Sequence, residues 1–507
     1  MRLNILIGGK AGQGINKVST IVSKTLINQG YFTFNYRDYP SIIRGGHNFN
    51  VLSISDKPIS SHESKIDIII AIDELTKTIH RDELKKHGTT IDYKPFLHFH
   101  RNLNIALSGA LTKVLGIPEK ALLDQIKSNP KTNNKQSIDA AKAGYKSQEN
   151  KFNLKKLNNK LTIMSGSQAV AIGAINSKID LYFAYPMTPA TGVLHELAAN
   201  QVKNQMMTFQ PEGEIAAVNM ALGASFSGAR TMVGTSGGGF DLMSEGLSLQ
   251  GISEIPLTVY LASRVGPGTG IPTYNMQGDL DIALRAGHGE FPRIVASPGD
   301  PLESIEITNE LMHLSEKFKT LSIILTDKHV AESEYSTNQK PNKPIAINIT
   351  RKLPHQAIIK SSSYDRDDYG LTTEEAKFAI INADARLEKY NQIKKATKAF
   401  NMTKTHGKAN SKNLIIGWGS TKGAILDAIE GEDFKFLQIL YLKPMSSKVK
   451  QEMQKAKTIT LVESNLTGQL GRLIREKTGI SIKNRILKYD GRPFRSDELK
   501  KQLLKLK

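Results

Sequence analysis

Thr231-Met232-Val233-Gly234-Thr235-Ser236-Gly237-Gly238-Gly239 reads as a short buried strand that runs straight into a glycine turn. The same punctuation recurs on both sides of it. Tyr185-Pro186-Met187-Thr188-Pro189 follows a strand over 180–184, and Glu212-Gly213-Glu214-Ile215-Ala216-Ala217 opens an alanine-rich helix. Arg264-Val265-Gly266-Pro267-Gly268-Thr269-Gly270-Ile271-Pro272-Thr273 follows a strand over 256–262, and Gly287-His288-Gly289-Glu290-Phe291-Pro292 comes next. Strands that alternate with helices imply an α/β sheet. Polar groups and glycines at the strand ends let a ligand approach the backbone there. That arrangement half-encloses an organic cofactor that carries its own chemistry.

The 507 residues suit about three domains at ~150 residues each. Residues 1–145 form the first, with a buried strand over 3–7, a glycine turn over 8–14, a helix to Leu26, a strand from Tyr31 and another over 66–72. Alternation of strand and helix gives it a parallel sheet. Residues 146–160, rich in Lys, Asn and Gln, read as a linker. A second domain spans 161–348, and 349–411 is a polar, lysine-rich connection with one helix near 373–390. The last domain, 412–507, starts at Asn413-Leu414-Ile415-Ile416-Gly417-Trp418-Gly419-Ser420 and has later strands over 436–440 and 458–463.

Composition removes several function classes. There is no cysteine, so this chain alone builds no disulfide, no cysteine-ligated iron–sulfur cluster and no thiolate zinc site. Any electrons that move need a metal centre on another polypeptide. His98 and His100 alternate on a strand-like run without acidic neighbours, which reads as surface strand rather than metal site. No apolar run approaches ~20 residues, and the first residues lack the regions of a signal peptide, so a cytoplasmic protein with no membrane partner is expected. The net charge of +20 raises a nucleic-acid reading. The lysines are spread out, however, and the densest run, 389–412, reads as a loop with few aromatics. A solvated surface without nucleic acid is the expectation, and a basic face that steers an acidic electron carrier stays open.

The individual motifs each keep two readings. The 8–14 turn lacks G-x-G-x-x-G order and a P-loop lysine, and serves either as a tight turn or as an anion cradle at a helix start. Arg44, in Ser41-Ile42-Ile43-Arg44-Gly45-Gly46-His47, suits an interface or a phosphate. Thr188, bracketed by prolines, is a rigid turn or a hydroxyl held outward. Glu214 lies at the front of a buried helix, where a carboxylate is costly without a donor. Its alternative is a helix N-terminal acid, a part that Glu212 fits better. Arg264 is either a surface ion pair or a fork for a carboxylate, with Thr269 or Thr273 adding a hydroxyl.

Taken together and in this order, the motifs resemble the 2-oxoacid:ferredoxin oxidoreductases, in particular the alpha subunit with a fused N-terminal gamma domain of the 2-oxoglutarate type. Residues 8–14 and Tyr39-Pro40-Ser41-Ile42-Ile43-Arg44-Gly45-Gly46-His47-Asn48 resemble the gamma domain. Residues 185–191, 214–228, 264–273 and 287–295 resemble a thiamine-enzyme pyrimidine-binding domain. Residues 417–423 and Val462-Glu463-Ser464-Asn465-Leu466-Thr467-Gly468-Gln469 resemble a transketolase-C-terminal-like domain. The resemblance implies a thiamine diphosphate enzyme that oxidatively decarboxylates a 2-oxoacid with coenzyme A. It also implies an obligate beta subunit holding Mg2+ and a [4Fe–4S] cluster, with ferredoxin as acceptor. On it, Glu214 is the acid at N1′ of the aminopyrimidine, and Tyr185 and Pro186 help to bind the cofactor. Arg264 takes the substrate carboxylate, with Thr188 and Thr273 beside it. Gly238, Val265 and Gly268 depart from the usual proline, glycine and serine, which leaves the oxoacid open between 2-oxoglutarate and pyruvate or branched-chain acids. A non-catalytic scaffold and a nucleic-acid binder are the readings from other classes. The gamma part closing over coenzyme A is a further expectation of the resemblance.

Overall fold

A computed structural model describes residues 1–42, 45–348, 351–357 and 362–507. Its strands form three sheets in a mixed α/β fold. The chain divides into two compact units. One consists of Met1–Met164, Ser333–Gln339 and Arg495–Lys501, and the other of Ser165–Glu332, Lys340–Phe494 and Gln502–Lys507.

In the first unit, the strand Arg2–Ala11 lies inside a seven-stranded sheet. It pairs in parallel with Ile66–Ala71, and that strand with Leu84–Asp92. On its other side it runs antiparallel to Gly45–Ser55, which is antiparallel to Phe32–Asp38. The expected all-parallel sheet is therefore corrected to a mixed one. The cause is the short connection over 39–44, since a parallel crossover needs about a dozen residues or more. Gly45–Ser55 is hidden in the sequence because it opens on Gly-Gly-His-Asn rather than on β-branched residues. His98 and His100 are corrected as well. They lie in the 3₁₀ stretch Lys94–Asn102, which has Pro95 in its first turn and kinks at His100 (φ 44°). Residues 147–160 carry no helix or strand and pack along this unit. Leu154 is buried there, and the Lys155 carbonyl accepts from the Tyr31 hydroxyl at 2.7 Å.

The second unit holds the other two sheets. Its larger one runs Tyr441–Lys443, Arg293–Ala296, Leu321–Asp327, Leu257–Ser263, Thr231–Thr235, Leu181–Phe183, Met207–Phe209. Every neighbouring pair is parallel except the first. Leu257–Ser263 and Leu321–Asp327 are buried at every position, as strands covered on both faces must be. The helix Gly166–Asn176 starts in a capping box formed by Ser165 and Gln168. Pro301–Phe318 is capped by Asp300, with proline in its first turn.

The third sheet comprises Thr403–Gly407, Lys435–Ile439, Asn413–Gly417, Thr458–Glu463 and Asn484–Leu487. One apolar core, including Val233, Leu257, Trp418 and Leu461, joins it to the larger sheet. The run 389–412, expected as a loop, is corrected in part: the helix Ala376–Ala396 covers its start, and Thr403–Gly407 is a strand. Ala, Glu, Lys and Arg favour a helix there despite the polar composition. Among the described residues, no helix is long and apolar enough to cross a membrane.

Candidate functional site

Four adjacent strands of the larger sheet each lead into a run that the sequence singles out. Glu214 follows Met207–Phe209, Thr188 follows Leu181–Phe183, the glycine triplet 237–239 follows Thr231–Thr235, and Arg264 follows Leu257–Ser263. From Leu181–Phe183 the chain steps outward to the edge strand Met207–Phe209 and then returns on the other side to Thr231–Thr235. That reversal is a topological switch point, where loops diverge and leave a crevice at the carboxyl ends of the strands.

Glu214 is the first residue of the helix Glu214–Phe226, after an extended Gly213. It is buried, and its Oε1 is shut away from solvent with no hydrogen-bond partner among the described residues. The helix turn Gly237–Leu242 presses against it. A Cβ on Gly239 would lie 2.5 Å from Glu214 Oε1 and closer still to Thr235 Oγ1, so only glycine allows this approach. Arg264 is half-buried, and its Nη1 donates to the Thr188 carbonyl at 3.0 Å. Burial lowers its pKa, while the negative charges of Asp279 and then Glu214 work in the opposite direction. Glu214, Arg264 and Thr188 are thus brought together.

Thr273 is buried on the loop that Arg264 begins, and Tyr185 and Pro186 are exposed past the end of Leu181–Phe183. Asp279 is a member of the site that the sequence reading lacks. Its Oδ2 is enclosed without a hydrogen-bond partner, and a Cβ on Gly237 would come within 2.6 Å of it. Burial pushes its pKa up to about 6, with Asp241 adding to the rise and the Ser263 hydroxyl and Arg264 opposing it. The one sequence signal is an acid placed just before the helix Leu280–Arg285. A buried carboxylate, Glu214, and a part-buried one with an enclosed oxygen, Asp279, therefore flank the glycine triplet, with one guanidinium close enough to feel both.

The loop from Arg264 is held from the third sheet. Gln277 donates its backbone N–H to the Ser464 carbonyl (2.7 Å) and its Nε2 to the Trp418 carbonyl (2.8 Å), and its Oε1 accepts from the Ser464 N–H (2.9 Å). Buried Glu463 fixes that platform, accepting from Trp418 Nε1 (3.0 Å), Asn465 Nδ2 (3.0 Å) and the Leu470 N–H (2.9 Å). The motifs at 417–420 and 462–469 thus position a loop of the larger sheet. In the first unit, Gly14 (φ 85°) precedes the helix Ile15–Asn28, and Gln13 Oε1 accepts from the Lys10 N–H at 2.7 Å. Arg44 lies outside the described residues.

Comparison with known proteins matches the chain along its length. The family model described as "Pyruvate flavodoxin/ferredoxin oxidoreductase, thiamine diP-bdg" matches residues 172–408, and "Pyruvate ferredoxin/flavodoxin oxidoreductase" matches 4–97. The 2-oxoacid:ferredoxin oxidoreductase subunit alpha of Sulfolobus sp is 30% identical, over 100% of this chain and 97% of that protein. The 2-oxoglutarate synthase subunit KorA of Archaeoglobus fulgidus is 35% identical over 36% of this chain and 52% of its own. The solved 2-oxoglutarate:ferredoxin oxidoreductase from Magnetococcus marinus, with 2-oxoglutarate, coenzyme A and succinyl-CoA bound, aligns at 25% identity with a TM-score of 0.89, covering 99% of both chains. Similarity along the whole length, on a sheet whose crevice gathers Glu214 and Arg264, has one consequence: the chain belongs to the 2-oxoacid:ferredoxin oxidoreductases, as an alpha subunit.

Proposed function

We propose that this alpha subunit decarboxylates 2-oxoglutarate oxidatively with thiamine diphosphate and coenzyme A, together with a beta subunit that holds Mg2+ and a [4Fe–4S] cluster and passes electrons to ferredoxin. The observation that carries this reading is the enclosed, unpartnered Oε1 of Glu214 at the switch point. A buried carboxylate oxygen without a donor is costly, and an aminopyrimidine ring nitrogen that shares a proton with it removes that cost. The residues present therefore fit the cofactor. Bound thiamine diphosphate supplies the electron sink that lets the bond from the keto carbon to the carboxylate break.

This chain's own groups do the rest. Glu214 holds a proton at the ring nitrogen, while Tyr185 and Pro186 border the crevice. Arg264, steadied by the Thr188 carbonyl, holds the substrate carboxylate through the rest of its guanidinium, with the Thr188 and Thr273 hydroxyls beside it. The two electrons released for each carbon dioxide leave through the partner, because this sequence has no cysteine for a cluster. The choice of 2-oxoglutarate is supported by the substrate named for the relative from Archaeoglobus fulgidus and for the solved structure.

The test is turnover of the purified alpha–beta complex on 2-oxoglutarate, pyruvate and 2-oxoisovalerate, for wild type and Glu214→Gln. Wild type should prefer 2-oxoglutarate, and the variant should lose about 100-fold or more in kcat while still binding its partner. Full activity in Glu214→Gln ends the assignment of that residue, and a preference for another acid ends the assignment of substrate.

A further inference from the structure

Arg293 opens the strand Arg293–Ala296 and is only 3% exposed, yet its Nε and Nη1 are enclosed with no hydrogen-bond partner among the described residues. The Phe291 ring lies against it, its centroid 4.4 Å from the guanidinium carbon. The adjoining antiparallel strand Tyr441–Lys443 contributes a second cation, since Lys443 pairs with Val295. Among the described residues, Lys443 Nζ reaches the Leu284 carbonyl, at 3.5 Å, and the Tyr390 ring, at 5.9 Å. Burial, then Arg293, Lys477 and Arg285, lower its pKa to about 8, with Glu476 opposing. Arg285 and Lys477 already share Glu476, at 3.0 and 2.8 Å. Among the described residues the cluster thus keeps two cations with no carboxylate in ion-pair contact, one of them buried, and an uncompensated buried charge is strongly unfavourable.

We infer that Arg293 and Lys443 form a binding site for a phosphate-class dianion at the amino end of the larger sheet. Two unpaired cations match a dianion, and a planar guanidinium offers parallel donors to oxyanion oxygens while lysine supplies a point charge. This site is separate from the crevice. Arg293 is level with Leu321 and Leu257 in the sheet, whereas Arg264 follows Ser263 at the other end of that strand. About seven residues at ~3.3 Å each put the two arginine backbones roughly 23 Å apart along the strand direction. The site goes beyond the proposed activity and is read without any turnover assay, so the two stand or fall independently.

The probe is inorganic phosphate, titrated into the full-length protein at constant ionic strength with chloride as control, and read by thermal unfolding and calorimetry. Wild type should bind one phosphate per chain saturably, with a rise in Tm that chloride does not give. Lys443→Met, at a half-buried position, should weaken binding about ten-fold or more. Lys24→Met, an exposed change in the first unit, should leave it intact. Arg293→Met should abolish it, and if that variant does not fold, Lys443→Met decides alone. AMP as a second probe separates a free anion from a nucleotide phosphate, and tighter binding of either sustains the site. No phosphate-specific effect in wild type, or an equal effect in Lys443→Met, overturns it.

Discussion

At Gly239 a single methyl group is enough to disturb the site. Alanine there places carbon 2.5 Å from Glu214 Oε1 and nearer still to Thr235 Oγ1, both on buried residues. Gly239→Ala should therefore lower kcat by about 100-fold through displaced geometry, with a stability loss of only about 1–3 kcal/mol. Steady-state rates and urea melts of one preparation check both, and an unchanged kcat removes this contact from the account. Asp279 gives a pH test. Its pKa is raised from 3.8 to about 6, so its contribution favours the fold below pH 3.8 and is lost as the pH rises through about 6. Asp279→Asn should gain stability over wild type as the pH rises through that window, by on the order of 3 kcal/mol above it. A difference in Tm that stays flat across the window is the contrary result. Glu214 is legible in the sequence because a carboxylate among Ile, Ala and Val has to be explained. Asp279 is not, because an acid before a helix is ordinary and only the fold reveals that Gly237 closes over it.

Among the elements, the helix Pro301–Phe318 is tied to the third sheet by charge. Glu303 accepts from Lys422 (2.6 Å), Lys404 (3.0 Å), Gln438 (2.6 Å) and the Gly299 N–H (2.8 Å). Burial pushes its pKa up, but the two lysines outweigh that and bring it to about 2. Lys422→Met leaves a buried carboxylate short of its main partner and should cost about 3–5 kcal/mol, read from urea melts. A loss below about 1 kcal/mol would show that Lys404 suffices. Strands with continuous apolar runs, such as Leu257–Ser263, are legible in the sequence because burial on both faces leaves little room for polar positions. Gly45–Ser55 is not, since its first half is polar and its place depends on pairing with two other strands. The 3₁₀ turns around His98 pass for strand because alternating His and Phe mimic a period of two.

For the whole molecule, order along the chain and order in space part company. The first unit is completed by Ser333–Gln339 and Arg495–Lys501. The strand Glu334–Thr337 pairs antiparallel with Phe32–Asp38, and Arg37 meets Glu334 at 2.8 Å. Further on, the Ser64 N–H donates to Asp497 Oδ1 at 2.9 Å, the Ser496 N–H to the His62 carbonyl at 3.1 Å, and Arg495 meets Glu83 at 3.2 Å. Nothing in the local sequence announces these pairings, because they depend on where the chain returns. Asp497→Ala should loosen the first unit locally, seen as faster exchange of the Ser64 amide than in wild type. Equal exchange in both would refute it.

That discontinuity sets a timetable for biosynthesis. When Met164 leaves the ribosome, the first sheet still lacks a strand and a clasp that have not been translated. At about 5–20 residues per second, the clasp follows roughly 20–70 s later. The edge at Phe32–Asp38 stays open to foreign strands until Glu334–Thr337 emerges, about 9–35 s after Met164, so chaperone demand should fall on nascent chains and not on the finished protein.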